Sequence, residues 1–298
     1  MEGRRFWRKI GRRTVLRSCR VLLALLLRSP RLIWRLPAAL LACFALAVDR
    51  QVFPLSRALL VACGVSPTLS RRWALSWARG FWYVAYRLIY LQGERITAAW
   101  LQQHVHIDGV LPPDGAILLT VHHRGARLGL LALAARGCHL ATIIPQHNPH
   151  ALRDLTMDSP RALYERQSLL LRRRTFDDRT FGRREAVREG LPFLAKGGYL
   201  LIAADVFPLY PHAKEMATLF GRAVAIPRGP VWFAQQSGRP IVPLMVVPQG
   251  PGWRVWIGEA IPVTQEAVVD ALAQCIRRAP ADWERPMAMT WLAAPPAP

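Results

Sequence analysis

His122 is the residue of this sequence best placed to do chemistry. Val121, His122 and His123 close a short apolar run, residues 116–121, and a helical pattern begins almost at once. The imidazole therefore stands at the carboxyl end of a buried strand, where open α/β sheets put their ligand sites. A neutral histidine there can take the proton of an acceptor hydroxyl as the alcohol attacks an acyl thioester, the general-base role. The competing reading is a surface or capping histidine. Further along, Gly221 and Gly229 permit close approach of a ligand to the backbone, and Arg222 and Arg228 offer forked donors to a phosphate or carboxylate. An anionic headgroup fits such a set; a tight turn with its arginines in solvent is the alternative. Asp205, at the end of a strand expected over residues 199–204, either orients a substrate hydroxyl or forms an ordinary turn.

Other polar groupings are weaker. His147, Asn148, Pro149 and His150 form a small cluster read as a loop, and Arg172, Arg173 and Arg174 beside Asp177 and Asp178 read as a solvated segment or a contact for acidic lipid or a carrier protein. The sequence has no phosphate-cradling P-loop, no glycine-rich dinucleotide turn, no nucleophile elbow around a serine and no paired-histidine zinc helix. The five cysteines are odd in number, scattered and without a two-spacer pair, so neither a disulfide framework nor a zinc site is expected.

The elements that must position these residues alternate. Residues 104–108 and the turn at Pro112, Pro113, Asp114 and Gly115 read as a hairpin leading into the strand 116–121, followed by a helix over 128–136 and a strand over 141–144. Then come a helix over 183–195, a turn over 196–198, the strand 199–204, a helix over 230–237, strands over 241–247 and 253–257, and a helix over 265–279. That order predicts an α/β fold, a mixed sheet flanked by helices.

The N-terminal part differs in kind. Residues 4–20 are strongly basic, and 21–48 are apolar but broken by Arg28, Arg31, Arg35, Pro30 and Pro37. The stretch 36–48 is shorter than the ~20 residues that cross a bilayer as a helix. A tilted span with snorkelling arginines and an interfacial helix both fit, and a cleaved signal peptide fits less well. If the segment spans, its basic flank holds the N-terminus in the cytoplasm. Between residues 54 and 91 two or more helices are expected, with Trp73, Trp77, Phe81, Val84 and Leu88 on one stripe that faces either the core or lipid. The expected division is a basic and hydrophobic anchor over 1–50, a helical membrane-proximal region over 51–104, an α/β domain over 105–292 and a frayed tail over 293–298.

The formal net charge is +21 and lysine occurs only at Lys9, Lys196 and Lys214. A GC-rich genome accounts for part of the arginine excess, but a field of this size attracts polyanions. The basic N-terminal residues are interleaved with apolar runs, which favours an anionic membrane over nucleic acid.

The run Ile117-Leu118-Leu119-Thr120-Val121-His122 with Leu128-Gly129 resembles the first motif of the late acyltransferases of lipid A biosynthesis, within the lysophospholipid and glycerophosphate acyltransferase superfamily. Residues 193–205, from Phe193 through Gly197-Gly198 to Asp205, are similar to the helix, turn and strand leading to that family's Asp-containing loop. Leu219-Phe220-Gly221-Arg222, Ile226-Pro227-Arg228-Gly229-Pro230 and Arg239-Pro240-Ile241-Val242-Pro243 resemble its third and fourth motifs, and the segment from Cys275 to Trp283 its C-terminal end. The resemblance covers roughly residues 115–291.

What it implies is a membrane-associated acyltransferase on the cytoplasmic face of a bacterial inner membrane. Such an enzyme moves an acyl chain from an acyl carrier protein or coenzyme A thioester to a hydroxyl of a lipid or glycolipid. His122 would be the base, Asp205, Gly221, Arg222 and Arg228 would hold substrate, and neither cofactor nor metal would be required. One position departs: Arg127 stands where the family has the acidic partner of its histidine. A nearby guanidinium would depress the basicity of His122. Either another carboxylate such as Asp205 or Asp154 substitutes, or His122 works unaided, or the fold keeps lipid binding without transfer. His123 as base recovers no acid, since Leu128 takes the corresponding place.

Overall fold

The computed structural model describes residues 52–91, 97–143, 179–181, 183–205, 214–249, 252–284, 288 and 291–296. The expected anchor over 1–50, Asp154, the cluster around His147 and the run Arg172–Arg174 lie outside the described residues.

The helical region holds α1 (Val52–Ala62), α2 (Leu69–Leu91) and the short α3 (Ala98–His104). The α/β part follows as β1 (Val105–Asp108), β2 (Ala116–Thr120), α4 (Ala126–Ala134), β3 (Leu140–Ile143), β4 (Arg179–Phe181), α5 (Arg183–Ala195) and β5 (Tyr199–Ala203). It continues through β6 (Lys214–Leu219), β7 (Arg222–Pro227), α6 (Gly229–Ser237), β8 (Ile241–Gln249), β9 (Gly252–Ile257) and α7 (Gln265–Arg278). Seven strands form one sheet in the order β1-β9-β8-β2-β5-β3-β4, mixed because β8 and β9 pair antiparallel while the other neighbours are parallel. The predicted α/β class and mixed sheet are therefore present.

The predicted hairpin of residues 104–121 is not. β1 pairs with β9 at the sheet edge, and the antiparallel β8–β9 pair stands between β1 and β2. The turn at Pro112–Gly115 is real, with Gly115 at φ 88°, but it carries the chain past two strands rather than folding it back on itself.

β2 is buried along its whole length and shows why the sheet must be covered on both faces. Its successive side chains alternate across the sheet. Ile117, Leu119 and Val121 join a core with α1, α6, α7 and the β6–β7 hairpin, whereas Ala116 and Leu118 join the opposite core with α4. α4 reaches the sheet closely because of Gly129, where a Cβ would come within 2.5 Å of Val246 Cγ2, a stiff and buried side chain. Replacing Gly129 with valine should overpack this contact and lower stability by about 1–3 kcal/mol, read as a reduced midpoint in urea denaturation.

Of the aromatic stripe expected on α2, Trp77 and Phe81 stack at 4.9 Å between ring centroids. Its two tryptophans do not face the core. Trp73 and Trp77 are 48% and 38% exposed, and the face that packs inward carries Leu75, Ser76 and Arg79. Ser56 of α1 and Ser76 of α2 meet at 2.8 Å and join the two helices. Among the described residues no helix is long and apolar enough to cross a membrane.

Candidate active site

β2 and β5 run parallel in register, from Ala116 opposite Tyr199 to Thr120 opposite Ala203. Ala204 continues the ladder by donating its N–H to Thr120 O at 3.0 Å. One step further, His122 and Asp205 stand side by side at the two strand ends. His122 Nδ1 lies 2.6 Å from Asp205 Oδ1, and the His122 backbone N–H reaches both carboxylate oxygens at 2.9 Å. Trp283 Nε1 donates to Oδ2 at 2.7 Å. The carboxylate is thus ringed by donors and completely buried, while the His122 side chain keeps a third of its surface exposed.

This ring of donors fixes the imidazole. With Nδ1–H given to Asp205, the lone pair is left on Nε2, the form a general base needs. Burial works against the charged form of His122, but the attraction of Asp205, the hydrogen bond to it and the charge of Glu284 together outweigh that penalty. The basicity of His122 is accordingly raised above its ordinary value, the reverse of the depression expected from Arg127. A carboxylate in hydrogen-bond contact decides the sign, and Arg127 lies half-buried in the first turn of α4.

His123 has a different fate. It is buried, its Nδ1 donates to Val121 O at 2.9 Å, and its Nε2 accepts the Val246 N–H at 3.1 Å. Burial lowers its pKa to about 4. It is a neutral strut between β2 and β8 with no nitrogen left for substrate.

Residues 280–284 cross over these strand ends and are tied there from several sides. Glu284 N–H donates to His122 O at 2.8 Å, and His123 and Trp283 form an isolated antiparallel bridge. Arg79 of α2 donates to Pro280 O and Trp283 O, and Arg124 donates to Arg79 O and Ala281 O. Helix α2 is thereby fastened to the backbone over the site. Trp283 and Glu284 were not among the site residues expected from sequence, although Trp283 closes the segment that resembles the C-terminal end of the acyltransferases.

The remaining expected residues are placed otherwise. Asp205 was expected to orient a substrate hydroxyl or, as one of two candidate carboxylates, to stand in for the acid missing at Arg127; buried under His122 with its oxygens occupied, it takes the second role. Gly221 (φ 70°) and Phe220 (φ 50°) form the two-residue turn between β6 and β7, the positive-φ geometry that suits a hairpin. Arg222 and Arg228 do not converge on one anion, because they bracket β7 and are about 20 Å apart along an extended strand. Arg222 stacks over Trp291 and donates to Ala294 O, whereas Arg228 forms an exposed pair with Glu215 at 3.3 Å. Among the described residues no group of three or more His, Cys, Asp or Glu side chains could hold a metal ion.

Comparison of the sequence with protein-family models and with curated proteins finds no match in either.

Proposed function

We propose that the His122–Asp205 pair is the base of a membrane-associated acyl transfer, from an acyl carrier protein or coenzyme A thioester to a hydroxyl of a lipid or glycolipid, at the cytoplasmic face of a bacterial inner membrane. The observation that carries this reading is the 2.6 Å contact of a partly exposed imidazole with a fully buried carboxylate at the carboxyl ends of two adjacent parallel strands. The sequence resemblance to the lipid A late acyltransferases supports it, as does the basic chain with tryptophans exposed on α2.

In this reading His122 Nε2 accepts the proton of the acceptor hydroxyl as its oxygen attacks the thioester carbonyl carbon. Asp205 holds the imidazolium that forms. Collapse of the tetrahedral adduct breaks the carbon–sulfur bond, and the thiolate leaves as thiol with the proton from Nε2. The thioester is already activated, so this route uses only groups of the protein and its substrates.

Replacing His122 with alanine should lower transfer by roughly 10²–10⁴-fold, measured as labelled acyl groups moved from carrier protein or coenzyme A into membrane lipid. Undiminished transfer by the variant would end the base assignment. The second reading, a lipid-binding or assembly protein of this fold without transfer, is favoured by Arg127 at the position where the related enzymes carry an acid. It gains if neither form transfers from either donor. Lipid profiling of a deletion strain would name the acceptor.

A further inference from the structure

A cleft of about 730 Å³ opens where α1, the N-terminal end of α2, the tip of the β6–β7 hairpin and the C-terminal end of α7 meet. Its size is that of a small-molecule site. Four arginines line it: Arg57, Arg72, Arg222 and Arg277. No Asp or Glu is among the described residues of its wall.

Two of these arginines, Arg222 and Arg277, are held by neutral groups. Arg277 lies over the Phe220 ring at 5.1 Å, and Arg222 over the Trp291 ring at 5.4 Å with a hydrogen bond to the Ala294 carbonyl. Such partners orient a guanidinium and leave its charge in place. Several like charges facing one cleft raise its potential and favour an anion from outside. One wall is apolar. Pro54, Ala58 and Val61 present one face of α1 to the cleft, while Leu55 and Leu59 of the same helix are buried in the core. Among the described residues of α1 and α2, Val61, Leu69, Trp73 and Trp77 are the exposed large apolar ones, and interfacial tryptophans beside arginines suit the boundary between headgroups and acyl chains.

We propose that this cleft binds the phosphate headgroup of an anionic membrane lipid, with Arg57 and Arg277 as principal donors, Arg222 behind them, and the lipid's apolar part along α1. His122 and Asp205 are not among its lining residues. Trp291, which does line it, lies 5.9 Å from Trp283, the donor to Asp205. The site is separate from the proton-transfer pair and stands whether or not His122 transfers an acyl group.

The full chain in micelles of an uncharged detergent would be titrated with phosphatidic acid bearing eight-carbon chains, with the matching diacylglycerol, and with inorganic phosphate. Saturable binding of the phosphatidic acid, at least about tenfold tighter than either comparison ligand, is expected. Arg57→Gln and Arg277→Gln, both at exposed positions, should each weaken it about tenfold, and His122→Ala should leave it unchanged. Equal binding of the diacylglycerol would overturn the phosphate assignment, and equal binding of inorganic phosphate would overturn the lipid assignment. Unaltered affinity in both arginine variants, or loss of binding in His122→Ala, would remove the ligand from this cleft.

Discussion

Asp205→Asn should be the most damaging conservative change to the proposed transfer, lowering its rate by roughly 10²–10⁴-fold at nearly constant side-chain volume. The carboxylate holds the imidazole in one tautomer through the 2.6 Å contact and stabilises the positive charge that appears on it. An amide can still accept from Nδ1–H but supplies no negative charge. The pH profile separates this role from a merely structural one. In the native protein the proposed transfer would need neutral His122 and should rise with pH to a plateau, with its inflection above the ordinary 6.5 because the folded pKa is raised. In the variant the burial penalty persists without the attraction, so the inflection should move to lower pH while the plateau falls. An unshifted inflection would separate Asp205 from the titration of His122.

Stability follows the same linkage with a definite sign. A histidine whose folded pKa exceeds its unfolded value contributes stability that is fully present below the unfolded value and is lost as pH rises through the folded one. The native protein's advantage over Asp205→Asn should therefore narrow on passing from about pH 6 to above the raised pKa, measured by denaturant titration at each pH.

Trp283→Ala should produce the largest loss of stability of any single change near the site, about 3–5 kcal/mol. Trp283 is the largest fully buried side chain among the described residues, packs in the core beside Trp291, and donates to Asp205 Oδ2 while His122 Nδ1 meets Oδ1. That loss is a large part of the 5–15 kcal/mol typical of a folded domain. Trp283→Phe keeps most of the packing and removes only the Nε1–H donor, a hydrogen bond to a charged group worth about 1.5–3 kcal/mol. A carboxylate with one donor fewer attracts the imidazolium more strongly, so the phenylalanine variant should also raise the inflection of the transfer profile. Chemical denaturation and pH-dependent transfer on the same two variants test both effects, and equal stability of native and Trp283→Ala proteins would contradict the packing described.

What the sequence determined was local. The apolar run ending in His122, the helix over 183–195, the glycine turn before Tyr199 and the amphipathic last helix each lie within a short window whose period and end signals suffice. They yielded the α/β class and the position of His122 at a strand end, whereas Gly221, expected to bring substrate close to the backbone, sits in a hairpin turn. Tertiary structure decided which strands are neighbours. β2 lies between β5 and β8, not beside β1, and parallel neighbours are joined by long crossovers that leave no local mark.

The histidine's partner followed from that order. Residues 122 and 205 are 83 apart, the same separation as Ala116 and Tyr199 at the start of the ladder, so the register that pairs β2 with β5 also pairs the imidazole with its acid. Where the resemblance would set an acid at Arg127, the adjacent strand sets Asp205 beside His122. Trp283, 78 residues beyond Asp205, and the arginine cleft between α1, α2, the hairpin and α7 arise the same way, from elements distant in sequence and brought together by packing. Arg222 and Arg228 show the converse: near in sequence, they are held apart because an extended strand advances about 3.3 Å per residue.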